Sequence, residues 1–166
     1  MTRYWIIGVS IAIAAAIVIG VWAMYGTFDT SDSQTEQKDS TMPQQAQMVV
    51  ADAVALYDQK GTLAFEVITA ESKNLQEGQL YPFVLDPKDI TVIAHGADPD
   101  KVGTISVSLT ESDRPYEQIL EELKSNKGTW VEYRYVNPDT GQVQLKKTWL
   151  FLHDGYIFGS GYYLSS

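Results

Sequence analysis

Residues 128–163, GTWVEYRYVNPDTGQVQLKKTWLFLHDGYIFGSGYY, decide the fold that we predict for this chain. Three runs rich in β-branched and aromatic residues are separated by two turn signals, NPDTG at 137–141 and DG at 154–155. β-Branched and aromatic residues favour strands, and Asp-Gly between such runs favours a tight hairpin. The stretch therefore predicts a three-stranded antiparallel meander.

The turn positions also predict which residues face each other across the strands. A four-residue loop at 138–141 places Tyr133 opposite Lys146 and Glu132 opposite Lys147, and the second pair joins opposite charges. A two-residue turn at 154–155 extends the same register to the third strand, where it sets glycines opposite two residues of the second strand. These pairs are Leu150 with Gly159 and Thr148 with Gly161.

Because side chains alternate along a strand, the predicted register divides the meander into two faces. One face carries Tyr133, Tyr135, Lys146, Thr148, Gly159 and Gly161. The opposite face carries large apolar groups, as expected beneath a helix: Trp130, Trp149, Phe151, Phe158 and Tyr162. Glycines beside two tyrosines and a lysine could leave space for a small carboxylate, or they could mark a bend with Lys146 as a solvated edge lysine. The residues leave both interpretations open.

Apolar residues at helical spacing predict an amphipathic helix before the sheet, with Pro43 near its start and Gly61 as its C-cap. Its apolar stripe consists of Ala46, Val49, Val50, Ala53, Leu56 and Tyr57. We expect this helix to cover the face that bears Trp130 and Trp149. A shorter helix is predicted over about 62–72.

Residues 81–85 and 90–94 predict two strands around a DPKD turn, and 105–109 is expected to extend the sheet weakly. Pro82 limits the first of these strands to an edge or to a strand start. A further helix is predicted from Asp113, as N-cap, to about residue 126, with Pro115 in its first turn. The predicted fold class is α+β: a long N-terminal helix packed on an antiparallel sheet of about five strands, with the helices on one side.

The N-terminal region predicts a membrane anchor and a spacer. Residues 4–25 contain no charge and no proline, and 22 helical residues span roughly 33 Å against a hydrocarbon core of about 30 Å. The charges around this segment predict a cytoplasmic tail at 1–3, and the polar residues 26–43 predict a disordered stalk. The domain at 44–166 is then extracytoplasmic, and the single transmembrane span at 4–25 anchors it in the cell membrane. A signal peptide cleaved after Ala23 is the competing interpretation.

Composition excludes several functions. A net charge of −9 and a pI near 4.5 argue against nucleic acid as a partner. The chain has no cysteine and only two histidines, and it lacks the common hydrolase, metalloprotease and phosphate-binding motifs. We therefore expect a protein that is not an enzyme, with no cofactor and no metal site.

Several short motifs together resemble the single Cache domain, a family of extracytoplasmic sensor modules of chemoreceptors and histidine kinases. They occur in the family's order across residues 44–164: YPFV at 81–84, AH at 94–95, WVEY at 130–133, NPxTG at 137–141, KxTW at 146–149 and DGYxxGSGYY at 154–163. The resemblance implies a long helix on an antiparallel sheet of five to six strands. It also implies a small ligand, often a short carboxylate, bound between the sheet and its covering loops.

The resemblance assigns expected roles to particular residues. Tyr81 and Phe83 would be apolar walls, His95 a polar contact from the loop, Tyr133 a hydrogen-bond donor, and Lys146 the cation that holds a carboxylate. We add Tyr135 to this expected ligand-binding set, because the predicted register places it on the same face of the sheet as Lys146. A lone histidine at a strand end is also commonly a structural, hydrogen-bonded group, so that interpretation of His95 stays open.

One feature departs from the family. Cache receptors usually continue into a second membrane helix and a signalling region, whereas this sequence ends at Ser166. We therefore expect a ligand-binding domain without its own output domain, which acts with a membrane-protein partner in signalling or transport. The alternative is a structural or protein-interaction module that has the Cache fold and no small-molecule ligand.

Overall fold

A computed structural model describes residues 41–71 and 80–164. The predicted anchor at 4–25 and nearly all of the predicted stalk lie outside these residues. Helix α1 begins at Met42, so the last two residues of the predicted stalk are helical. Within 41–71 and 80–164, no helix is both long enough and apolar enough to cross a bilayer.

The described residues form four α-helices and five strands. In chain order they are α1 (Met42–Lys60), α2 (Leu63–Ala70), β1 (Phe83–Leu85), β2 (Val92–His95), α3 (Val107–Thr110), α4 (Tyr116–Asn126), β3 (Gly128–Val136), β4 (Val143–His153) and β5 (Tyr156–Tyr163), with a short 3₁₀ helix at Pro99–Lys101 between β2 and α3. The predicted α+β class is confirmed.

The five strands form one antiparallel sheet in the order β2-β1-β5-β4-β3. Every cross-strand pair predicted for the meander is present, including Tyr133 with Lys146 and Thr148 with Gly161. The second turn is tight, because Asp154 and Gly155 both have positive φ, 46° and 80°. Strand β1 is internal to the sheet and starts directly after Pro82. Of the two positions predicted for this proline, an edge strand or a strand start, the structure has the strand start.

Helices α1 and α2 cover one side of the sheet, which we call the α1 face. Their buried residues pack on Val84, Ala94 and Phe158, with Trp149 and Phe151 at the margin. This confirms the side of the meander on which α1 was expected. The C-terminal end of α1 is also held to the β4–β5 hairpin, because the Tyr57 hydroxyl donates to Asp154 at 2.7 Å.

The prediction that all helices lie on one side is wrong. Leu109 of α3 and Ile119 and Leu123 of α4 pack on the opposite side, the α4 face, in a core that includes Leu150 and Ile157. The reason lies in the strands, because all three residues of β1 and most of β5 are buried and so need cover on both faces. Local periodicity does not reveal which face a helix will cover.

Two local predictions between β2 and β3 are also wrong. Residues 105–109 do not extend the sheet, since only Ile105 forms a bridge, to Thr91, before the chain turns into α3. Asp113 is not the N-cap of α4, which Pro115 occupies. The backbone N–H of Asp113 instead donates to the Glu132 carbonyl at 2.9 Å. Asp113 is therefore bonded to strand β3 and does not cap the helix.

Arg114 and Glu122 connect α4 to β3. The Arg114 Nη2 atom donates to Glu122 at 2.8 Å and to the Trp130 carbonyl at 2.7 Å, and the Thr129 hydroxyl donates to the same Glu122 oxygen at 2.7 Å. The hydrogen bonds from Arg114 and Thr129 lower the pKa of Glu122 to about 2. This carboxylate therefore stabilises the fold in its ionised form.

We expect Glu122→Gln to lower the melting temperature at pH 7, because a neutral amide cannot replace the charge-assisted bonds to Arg114. A depressed pKa gives stability that is present above the unfolded value near 4.5 and is lost as the pH falls toward 2. The difference from the wild type should therefore shrink in acid. Circular dichroism melts from pH 7 to pH 2 measure this, with the exposed Glu121→Gln as the control; a difference that persists at low pH would contradict the assignment.

Candidate functional site

The candidate site lies on the α4 face, beside the core that α4 covers and beneath the loop between β2 and α3. Lys146 is at its centre, in β4, with β3 on one side and β5 on the other. Its side chain is only 1% exposed. A lysine at a central strand position cannot extend to water past its neighbours, so its charge must be accommodated within the protein.

Aromatic side chains surround the Lys146 amine. Its Nζ atom donates to the Tyr81 hydroxyl at 2.8 Å and lies 4.2 Å from the centre of the Tyr81 ring. The rings of Tyr135 and Tyr163 are each 5.3 Å away, and that of Phe83 is 5.9 Å away. Ring faces attract a cation, although less strongly than a carboxylate does. Among residues 41–71 and 80–164, no carboxylate forms an ion pair with Lys146.

Burial lowers the pKa of Lys146 to about 7 from its ordinary value of 10.5. The ammonium form is thus destabilised in the folded protein, and near pH 7 the charged and neutral forms are similarly populated. An anion bound next to Nζ would reverse this effect, since it would stabilise the charged form.

His95 is held in a single orientation at the end of β2. Its Nδ1 atom accepts the backbone N–H groups of Ala97 at 3.3 Å and Asp98 at 2.9 Å. With Nδ1 as acceptor, the ring proton of the neutral imidazole is on Nε2, which lies 3.5 Å from the Tyr135 hydroxyl. Burial, together with the nearby charge of Lys146, lowers the pKa of His95 to about 4. His95 therefore has a structural role in the loop and also presents a fixed donor toward the site.

Tyrosine hydroxyls complete the polar groups around Lys146. Thr148 donates to the buried Tyr133 hydroxyl at 3.1 Å, so the phenol oxygen acts there as an acceptor. Tyr163 donates to the Val136 carbonyl at 2.8 Å and lies 3.4 Å from the Tyr81 hydroxyl. These bonds keep the ring of Tyr163 beside the Lys146 amine.

The two interpretations of the glycines are each partly wrong. A Cβ atom at Gly159 would overlap the Phe83 ring, and one at Gly161 would overlap the Thr148 hydroxyl. The protein's own side chains therefore fill the space that these glycines leave, and no ligand space results from them. Lys146, on the other hand, is buried and is not the solvated edge lysine of the alternative.

Two spaces adjoin the aromatic cluster. The inner cavity, at Lys146, has a volume of about 20 Å³ and is lined by Phe83, Leu85, Val92, His95, Ser106, Tyr133, Tyr135 and Lys146. The outer cleft, of about 400 Å³, opens beyond it between the loop and the β3–β4 hairpin, where its walls include Tyr81, His95, Asp98, Lys101, Arg134, Tyr135 and Val143. The inner cavity has room for about one water molecule, whereas the outer cleft has the size of a small-molecule site.

Comparison with known proteins shows what this architecture is similar to. No protein-family model matches the sequence, and no curated protein matches it. A solved Cache chemosensory domain, described for its recognition of carboxylic acid, is 22% identical over 74% of this chain and 92% of that one, with a TM-score of 0.55. The chain folds as a single Cache domain. A periplasmic sensor domain of a chemotaxis protein has a TM-score of 0.58 at 15% identity, over 81% of this chain and all of that one.

A third neighbour is a methyl-accepting chemotaxis protein from Vibrio parahaemolyticus RIMD 2210633. It is 16% identical over 70% of this chain and 82% of its own, with a TM-score of 0.50. At these identities the likeness shows the fold alone, because one fold serves many functions.

In this domain, the six residues predicted from the sequence lie together. Five of them line the inner cavity, and Tyr81 contacts Lys146 through its hydroxyl. Their role in ligand binding stays a prediction. Lys147, the next residue of β4, instead pairs with Glu132 at 3.2 Å near the surface.

Sequence reasoning missed Tyr163, although the signal for it was present. The register that pairs Thr148 with Gly161 also pairs Lys146 with Tyr163, on the same face of the sheet. It also missed Ser106 and Asp98, which reach the two spaces from the loop. No local pattern marks these two residues, because the loop's path over the sheet places them there.

Proposed function

We propose that this chain is an extracytoplasmic sensor domain, anchored in the cell membrane by residues 4–25, that binds a small molecule through a short carboxylate. The observation that carries the proposal is the buried amine of Lys146, which has no carboxylate partner among the described residues. Proteins rarely keep such a group for stability, since a buried charge without a partner is costly. Perturbed groups of this kind are concentrated at functional sites.

The polar groups around Lys146 favour an anion as the ligand. The ammonium of Lys146 and the Nε2–H of His95 are donors, and the Tyr133 O–H can donate while its oxygen accepts from Thr148. A carboxylate has two oxygens that only accept, so it could use several of these donors at once. The Cache chemosensory domain described for carboxylic acid recognition supports the same ligand class by analogy.

The proposed ligand would place its carboxylate at Lys146 and the rest of the molecule toward the outer cleft. Since the inner cavity measures about 20 Å³, the head group must displace a side chain to enter. The outer cleft, at about 400 Å³, lies within the range of small-molecule pockets. We propose binding and no catalysis, with a membrane protein as the partner that transmits the signal or takes up the ligand.

A thermal-shift screen of the full chain in mild detergent tests the proposal. The panel contains acetate, propionate, lactate, pyruvate and amino acids, and the variants are Lys146→Ala and, as the matched control, Lys147→Ala. A carboxylate present at 100 times its dissociation constant should add about 2.7 kcal/mol to the free energy of unfolding. We expect this shift in the wild type and in Lys147→Ala and its loss in Lys146→Ala. A shift that survives in Lys146→Ala would refute the proposed site.

A protein-interaction module is the second candidate. The observation that favours it is a cluster of exposed apolar side chains at the β3–β4 hairpin, where Val136, Val143 and Leu145 are 49%, 57% and 39% exposed. Such patches often mark contacts with other proteins. If no compound of the screen stabilises the wild type, this candidate takes precedence, and crosslinking from the hairpin in membranes would be the next measurement.

A further inference from the structure

We propose that Tyr135 is the specificity-determining gate of the site, held closed by His95, and that it controls which molecules reach Lys146. The inference rests on the proposed function, because it assigns a residue that governs access to the same site. It concerns the passage between the inner cavity and the outer cleft.

Tyr135 stands between the two spaces. Its side chain lines the inner cavity together with Lys146 and also lines the outer cleft. Lys146 lines the inner cavity, whereas Tyr135 and His95 line both spaces, so the wall that these two residues share is the direct route from the outer cleft to the amine. His95 is 5% exposed and is tied to two backbone N–H groups, whereas Tyr135 is half-buried. Of these two residues, Tyr135 is the one that can move.

Tyr135 is also held more weakly than the other tyrosines near Lys146. The Tyr81 hydroxyl accepts from Lys146 at 2.8 Å, and the Tyr163 hydroxyl donates to a backbone carbonyl at 2.8 Å. Within the part of the chain that the structure describes, the Tyr135 hydroxyl has a hydrogen-bond contact of 3.5 Å, to His95 Nε2. This distance is at the limit of a useful hydrogen bond. In addition, Tyr135 lies near the end of β3, an edge strand.

The contact with His95 makes the gate selective. Because Nδ1 of His95 accepts two backbone N–H groups, Nε2 remains a donor and the Tyr135 oxygen is its acceptor in the closed state. When Tyr135 swings outward, His95 Nε2–H loses that acceptor and can donate to the incoming group. A carboxylate oxygen satisfies it, whereas an ammonium or amide N–H does not. Opening is therefore favoured by head groups that place an acceptor oxygen next to Nε2.

Movement of Tyr135 also changes the size of the site. The inner cavity of about 20 Å³ is too small for a carboxylate group, and outward movement of the phenol ring would join it to the cleft of about 400 Å³. The ring thus excludes bulky head groups from Lys146 while the body of the ligand stays in the cleft. Ligand selection then depends on residue 135 as well as on the lysine.

Chemical labelling of the Lys146 amine tests the gate without any ligand. The full chain in mild detergent is treated with formaldehyde and dimethylamine–borane at pH 7.5, and methylation of Lys146 and Lys147 is followed by peptide mass spectrometry. The half-exposed Lys147 serves as the internal reference. The variants are Tyr135→Ala, which removes the ring, Tyr135→Phe, which removes only the bond to His95, and Val143→Ala, which alters another wall of the outer cleft.

We expect slow methylation of Lys146 relative to Lys147 in the wild type and in Val143→Ala. Tyr135→Ala should raise the ratio about tenfold or more, because labelling follows the population of open states, and Tyr135→Phe should raise it by a smaller factor. An unchanged ratio in Tyr135→Ala would overturn the proposal. If that variant does not fold, Tyr135→Phe decides: a raised ratio supports the gate, and an unchanged ratio overturns it. Because labelling needs no ligand, its result is independent of the carboxylate screen.

Discussion

Replacement of Lys146 by methionine is expected to stabilise the unliganded domain and at the same time to abolish carboxylate binding. The ammonium is 1% exposed and has no carboxylate partner among the described residues, and burial lowers its pKa to about 7. Methionine has a similar length and no charge, so it removes the cost of desolvation and keeps the contacts with the surrounding rings. We expect a gain of at least about 1 kcal/mol in the free energy of unfolding.

Calorimetry of the unliganded wild type and Lys146→Met at pH 6.5 measures this gain. For a domain of this size, 1 kcal/mol corresponds to a rise of about 3–5 °C in melting temperature. Lys147→Met is the matched control, since it removes the neighbouring lysine, whose ion pair with Glu132 is partly exposed, and should change stability by less than about 1 kcal/mol. A lower melting temperature in Lys146→Met would mean that Lys146 serves the fold and would argue against a binding role.

The affinity for a carboxylate is expected to fall steeply as the pH rises above 7. Binding requires the ammonium form of Lys146, and a pKa of about 7 means that this form decreases about tenfold for each pH unit above that value. Other groups facing Lys146 do not titrate between pH 6 and 9. His95 has a pKa of about 4 and stays neutral, while burial raises the pKa values of Tyr81, Tyr135 and Tyr163.

Isothermal titration calorimetry between pH 6 and 9, with the carboxylate that the screen identifies, measures the dependence. We expect a loss of affinity of roughly 50-fold from pH 7 to pH 9, and uptake of a proton on binding above pH 7. The stability of the unliganded domain should show the opposite trend. The folded pKa lies below the unfolded value of 10.5, so the unfolded state binds more protons between them and stability rises with pH. An affinity that does not change with pH would refute the role of Lys146 as the binding cation.

Much of the fold follows from local patterns in the sequence. The turn signals at 137–141 and 154–155 specify the loop lengths, and with the alternation of side chains these determine the register and the faces of the meander. The same register puts Tyr133 and Tyr163 beside Lys146 and puts Lys147 on the opposite face with Glu132. The resemblance of short motifs to the Cache family then supplied Tyr81, Phe83 and His95.

Other features depend on contacts between residues that are distant in the chain. The position of α4 on the face opposite α1 depends on both faces of β1 and β5 being apolar, and the glycines of β5 make room for Phe83 and Thr148. Aspartate favours the N-cap position of a helix, but Asp113 does not occupy it in α4, because its backbone N–H bonds to β3. For Asp113, this long-range pairing outweighs a local N-cap preference of about 1 kcal/mol.

The sequence by itself determined an antiparallel sheet of about five strands with Lys146 on the same face as Tyr133 and Tyr135, because strand period and turn length are local properties. Only the tertiary structure decided that this lysine is buried. The loop after β2 holds His95 beside Tyr135, and these two residues line both a cavity of about 20 Å³ and a cleft of about 400 Å³. Burial in this enclosure brings the pKa of Lys146 to about 7, since desolvation depends on every element packed around the amine and on no single segment.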